Sequence, residues 1–222
     1  LVEDSTSIET SNVCWDHWEG PRNSVVQRTH CTTNSRKCGS GIMVTGSARS
    51  QGGFADEAVI EDNTVEGRGD ATDCYASGIQ VNGLASPRSG GSNIKIIGNT
   101  VTFDYRKAKE SICIRIGGDS KNITISDNIC KGGSGSGSGI QIWGHDKGGV
   151  PSGISIVRNN LNDIYTIGGT APLDIGGNAV FLDKNTVNGG RYPVGLLLRS
   201  SGVTVGTGNK IDSGRLRKMK QQ

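Results

Sequence analysis

The chain has 222 residues, with 35 glycines, 5 prolines, 33% hydrophobic and 20% charged residues, and a formal net charge of +3. No apolar run approaches the roughly 20 residues of a spanning helix and the glycines keep no three-residue period, so spanning-helix, collagen-like and disordered classes are excluded; 5% aromatics argues against a core of large rings. The positive excess sits in Arg215, Arg217, Lys218 and Lys220, and no basic stripe interleaves with aromatics, which argues against nucleic-acid binding.

In chain order, "LVEDSTSIET" lacks the basic and apolar regions of a secretory signal. "NVCWDHWEG" reads as a strand with Val13 and Trp15 inward, and "SVVQRTHC" as a second with Val26 and Cys31 inward. Residues 1–40 are thus a degenerate first coil. From there two patterns alternate. Strand A is "GIMV" at Ile42, "GIQV" at Ile79, "CIRI" at Ile114, "GIQI" at Ile140, "PLDI" at Leu173 and "GLLL" at Leu196. Strand B and an asparagine turn form the second: "AVIEDNTV" at Asn63, "IKIIGNTV" at Asn99, "ITISDNIC" at Asn128, "ISIVRNNL" at Asn159, "VFLDKNTV" at Asn185 and a looser copy at Asn209. The apolar residue two positions after each asparagine starts strand C. Asparagine suits a turn because it bonds local backbone and tolerates the left-handed conformation.

Strand A recurs at intervals of 37, 35, 26, 33 and 23 residues and the asparagines at 36, 29, 31, 26 and 24, so the two keep step. Three short strands per repeat with variable loops predict a stacked coil, each strand pairing with its equivalent at roughly 4.8 Å around a narrow Ile/Val/Leu core. Hairpin signals for propeller blades and a leucine-rich framework are both missing. The expected fold is all-β, a right-handed parallel β-helix of about seven coils over residues 1–212, with a basic tail or short cap at 213–222.

These copies resemble the repeats of right-handed parallel β-helix proteins of the pectate-lyase-like superfamily, over roughly residues 24–212. The resemblance implies polysaccharide lyases, glycoside hydrolases, epimerases, bacteriophage tailspikes or non-catalytic adhesins. It also implies a setting in which such chains trimerise beside other domains. A β-helix end needs a cap, a partner or more chain, so a piece of a longer protein is expected.

Function in such a solenoid belongs to outward strand residues and loops. The outward middle residue of strand A is, in order, Met43, Gln80, Arg115, Gln141, Asp174 and Leu197, a strip suited to carbohydrate. Strand B offers Val59, Lys95, Thr124, Ser155, Phe181 and Thr204, with fewer reactive groups. The loops "EGRGDATDCYAS" and "TFDYRKAKES" supply candidates beside it: Asp73 and Asp104 as a carboxylate pair for glycoside hydrolysis, or Arg115 as cation with Tyr105 or Lys107 as base for β-elimination. Tyr75, Gln80, Gln141, Trp143, Asp174 and Trp18 are the expected sugar contacts. Asp16, His17 and Glu19 flank Trp18, and His145 and Asp146 follow Trp143 several coils on, too far to share one centre.

No histidine pair has metal-ligand spacing; a cofactor is undefined, and calcium on loop aspartates has no motif behind it. Six cysteines without a C-x-x-C pair suit an extracellular, secreted or virion-associated protein. Cys38 and Cys74 hold nearly equivalent loop positions and are expected to bridge, whereas Cys31 and Cys130 are expected as inward free thiols. "GGSGSGSG" at 132–139 is a native loop or an engineered one. The expected function is polysaccharide binding and degradation, with no nucleic acid and no membrane insertion. The alternative is a non-catalytic adhesin, receptor-binding or structural solenoid.

Overall fold

In the computed structural model the described residues are 1–10, 13–17, 21–34, 39–46, 55–70, 72, 75–83, 90–105, 107–132, 137–143, 149–166, 171–190, 195–211 and 217–218. They form a right-handed parallel β-helix of three sheets whose strands run parallel and in register. Each main path holds eight strands, one more coil than the repeat predicts. The extra coil opens at Val2–Glu3 and Thr6–Thr10, where the apolar alternation is too weak to read. At the other end Arg217–Lys218 pairs with Leu197 and Leu198, so part of the basic tail closes the A sheet.

The core is a set of stacked rows. Ile42, Ile79, Ile114, Ile140, Leu173 and Leu196 form one on strand A. Val26, Ile60, Ile96, Ile125, Ile156 and Leu182 form the strand B row, and Cys31, Val65, Val101, Cys130, Leu161 and Val187 the strand C row. All are buried. Glycine next to strand A makes the close approach feasible: a Cβ on Gly78 would lie 2.2 Å from Val101 Cγ1 and 2.8 Å from the Cys113 carbonyl oxygen. Gly78→Ala is therefore expected to destabilise the fold by about 1–3 kcal/mol, measured by chemical denaturation.

The asparagines do more than turn the chain. Asn63, Asn99, Asn128, Asn159 and Asn185 are buried, and each Oδ1 accepts from the backbone N–H and the Nδ2–H of the preceding member. Each Nδ2 also donates to a strand B carbonyl. Thr29 starts the row, donating through N–H and Oγ1–H to Asn63 Oδ1, and Asn209 ends it. The left-handed backbone lies one residue earlier than the sequence pattern suggests, at Arg28, Asp62, Gly98, Asp127, Arg158 and Lys184. The side chains of Arg28, Asp62, Asp127, Arg158 and Lys184 are exposed and Gly98 has none, which leaves the asparagine to bond inward.

Two expectations are corrected here. Cys31 is not a free thiol: it is bonded to Cys14, with α-carbons 5.9 Å apart. Cys14 follows Val13 on strand A at a chain corner, where it faces strand C across the core rather than solvent. Tyr105 is not a loop base. Strand C runs on as Thr100–Tyr105, its alternation sends Val101, Phe103 and Tyr105 inward, and the Tyr105 hydroxyl is hydrogen-bonded to Thr33 Oγ1 at 2.8 Å. Burial pushes its pKa up, which suits a core phenol and not a proton acceptor. Cys130 is inward and buried and stands as a thiol in this structure. The expected Cys38–Cys74 bridge lies outside the described residues.

A candidate site on the strand A sheet

The outward strand A positions do stack, with Gln80 beside Arg115, Arg115 beside Gln141 and Gln141 beside Asp174. They are not an open strip, however. Gln80 and Gln141 are at least nine-tenths buried and Asp174 is fully so, because longer side chains from the same sheet lie across them. What remains accessible is a groove of about 230 Å³ lined by Glu110, Gln141, Trp143 and Arg199.

Asp174 is buried behind the lining residue Arg199. Arg199, which follows the strand A segment Leu196–Leu198 of the next coil, grips its carboxylate through Nε and, at 2.7 Å, Nη2. Burial pushes the Asp174 carboxyl up and this guanidinium fork pulls it part of the way back. Asp174 in turn raises the Arg199 pKa and fixes the plane of its guanidinium.

Glu110 sits at the start of the strand Glu110–Gly117 and reaches across to Gln141, whose Nε2 donates to Glu110 Oε2 at 3.3 Å. Gln141 is the register partner of Asp174 and also holds its pKa down, so one amide acts on both carboxyls. Half-burial raises the Glu110 pKa. Gln141, Arg115 and Arg199 oppose that rise, while the Asp174 charge adds to it. Gln141 Oε1 is buried and has no hydrogen-bond partner among the described residues, a vacancy that a hydroxyl or amide of a ligand would fill. Trp143 is 42% exposed at the groove wall, with the Arg115 guanidinium carbon 5.2 Å from its ring centroid.

Of the residues expected to carry chemistry, Arg115, Gln141, Trp143 and Asp174 are thus brought together. Gln80 lies one coil below, accepting from Ser40 Oγ at 3.1 Å. Tyr75 is the register partner of Glu110 on the adjacent strand. Asp104 is on the strand C sheet, the register partner of Arg68, and does not line the groove. Asp16 occupies the far end of the A row beside Met43. Asp73 and Trp18 lie outside the described residues, as do Glu19, His145 and Asp146. In the sequence Glu110 stands only as one of the charges of "TFDYRKAKES", with no role of its own, and Arg199 is not singled out. The signal for Arg199 is an arginine two residues past the outward Leu197, diagonal to Asp174 on the neighbouring strand. No cluster of three or more metal-ligating side chains exists among the described residues.

The fold therefore defines a parallel β-helix with a partly covered polar groove on one sheet. No protein-family model, no curated protein and no solved structure matches this chain.

Proposed function

We propose that this groove binds an extended acidic polysaccharide and cleaves it by β-elimination, in an extracellular, secreted or virion-associated protein akin to the pectate-lyase-like superfamily. The observation that carries this reading is the chemistry in and beside the groove: Arg199 on its lining, gripping the fully buried Asp174 carboxylate, Arg115 against the lining Trp143, and the half-buried lining carboxyl of Glu110 that burial shifts upward. The two carboxyls offset the two guanidiniums, so it is the placement of Arg199 and Arg115, not the net charge, that suits a ligand carboxylate. A uronic acid carboxylate near Arg199 and Arg115 has its charge neutralised, which acidifies the adjacent C–H. Glu110, made more basic by burial, takes that proton while the C–O bond to the neighbouring sugar breaks, the departing oxygen takes a proton from water, and the ring gains a double bond. Trp143 stacks on a ring and the unpartnered Gln141 Oε1 accepts a sugar hydroxyl.

Two-carboxylate hydrolysis is the less favoured reading. It needs both carboxyls to face the scissile bond, and Asp174 is fully buried beneath its arginine. A non-catalytic glycan-binding solenoid is the second reading, and the paired outer-strand polar row would serve it equally. Incubation with uronic-acid and neutral polysaccharides, followed by unsaturated-product absorbance and by reducing ends, separates the three. Elimination gives both signals on uronates only, hydrolysis gives reducing ends alone, and binding gives neither. Trp143→Ala is expected to weaken polysaccharide affinity by about tenfold, as measured by affinity electrophoresis, with melting temperature little changed because the side chain is exposed.

A further inference from the structure

The Cys14–Cys31 bridge is not an isolated feature of the first coils. Cys14 lies between Val13 and Trp15, whose register partners are Ser40 and Ile42, so it stacks under Gly41. The same row continues through Gly78 to Cys113 and Gly139. On strand C, Cys31 stacks on Val65, then Val101, then Cys130. Cys113 and Cys130 therefore occupy, three coils along, the two positions that Cys14 and Cys31 occupy, and both pairs are separated by 17 residues of chain.

The intervening coils show how closely these two rows face each other. An added Cβ would lie 2.2 Å from Val65 Cγ1 at Gly41 and 2.2 Å from Val101 Cγ1 at Gly78; at Gly139 it would lie 2.2 Å from Leu161 Cδ2. Elsewhere the contact is solved by glycine against a branched residue. In this coil it is made by two cysteines, both buried and both thiols. The Cys130 thiol is pushed well above its usual pKa by burial, and the neighbouring Cys113 thiol adds to the shift, as close partners would.

We infer that Cys113 and Cys130 form a second disulfide equivalent to Cys14–Cys31, so that the solenoid is stapled across its core in two places. The oxidant is a thiol–disulfide carrier, either a dithiol oxidoreductase in its disulfide form or oxidised glutathione. One cysteine thiolate attacks the carrier disulfide, forming a mixed disulfide and expelling one carrier thiolate. The second cysteine thiolate attacks the protein sulfur of that mixed disulfide and expels the other. The chain loses two electrons and two protons, and the carrier gains them as two thiols. Because both sulfurs are buried in the finished fold, the exchange belongs to folding, before the coil closes.

The test is refolding of the full chain in a reduced/oxidised glutathione buffer, acid quenching, alkylation in denaturant and non-reducing peptide mapping. Cross-linked peptides for Cys14–Cys31 and for Cys113–Cys130 are expected. Recovery of Cys113 and Cys130 as alkylated thiols, or either of them joined to another cysteine, overturns the inference whether or not Cys14–Cys31 has closed. A second arm uses the double variant Cys113→Gly with Cys130→Val, which copies the Gly78/Val101 pairing of the adjacent coil and so retains a packing the fold already accepts. The fall in melting temperature on adding reductant should be smaller in this variant than in the wild type. An equal fall in both contradicts the second staple.

Discussion

Glu110→Gln is expected to lower polysaccharide cleavage by about 10²- to 10⁴-fold while leaving polymer affinity within a few-fold of wild type. The side chains are nearly isosteric, and Gln141, Arg115, Trp143 and the Asp174–Arg199 pair stay where they are. What is removed is, among the described residues, the one groove-lining carboxyl. The pH dependence should follow. With its folded pKa raised by burial, Glu110 becomes the ionised base only at higher pH, so the acid limb of the wild-type rate profile should lie higher than an exposed glutamate would place it. Stability runs the opposite way. A raised folded pKa means that the native state binds more protons than the unfolded chain, so the contribution is fully present below the unfolded carboxyl value and is lost as pH rises through the folded one. Glu110→Gln should flatten that decline, which denaturation at a series of pH values measures directly.

Asn128→Ala should be the most damaging single change to the fold, at about 3–6 kcal/mol by chemical denaturation. Its side chain makes four buried hydrogen bonds: it accepts from the Asn99 N–H and Nδ2–H, and it donates to the Ile96 carbonyl and to Asn159 Oδ1. Alanine leaves the Asn99 N–H and the Ile96 carbonyl without these partners inside the solenoid, at about 1–3 kcal/mol each, and opens a small cavity besides. Asn209→Ala, at the half-buried end of the row, should cost about 1–2 kcal/mol. Equal losses at the two positions would show that the row is not a continuous network.

The asparagine spacing was enough to read three strands per coil, because a solenoid must return each strand to register with its predecessor. It could not reveal which residue takes the left-handed backbone. Asp127 and Asn128 are both plausible by type, and only the inward bonding of Asn128 separates them. Tyr105 was misread for a different reason. "VTFDY" carries a period of two, but its proximity to charged residues made it resemble a loop. The functional strip was visible as a line of outward residues and invisible as a groove. Its shape depends on Glu110 reaching along the sheet and Arg199 arriving from the next coil, contacts that repeat arithmetic does not contain.

Whether the A-sheet groove holds an acidic sugar chain is decided by a crystal structure of the Glu110→Gln variant soaked with a uronic-acid oligosaccharide. The predicted density lies along the groove, with a sugar carboxylate beside Arg199, a ring against Trp143 and a hydroxyl bonded to Gln141 Oε1. An oligosaccharide seated on the strand B face around Phe181, or an empty groove at saturating ligand, would contradict it.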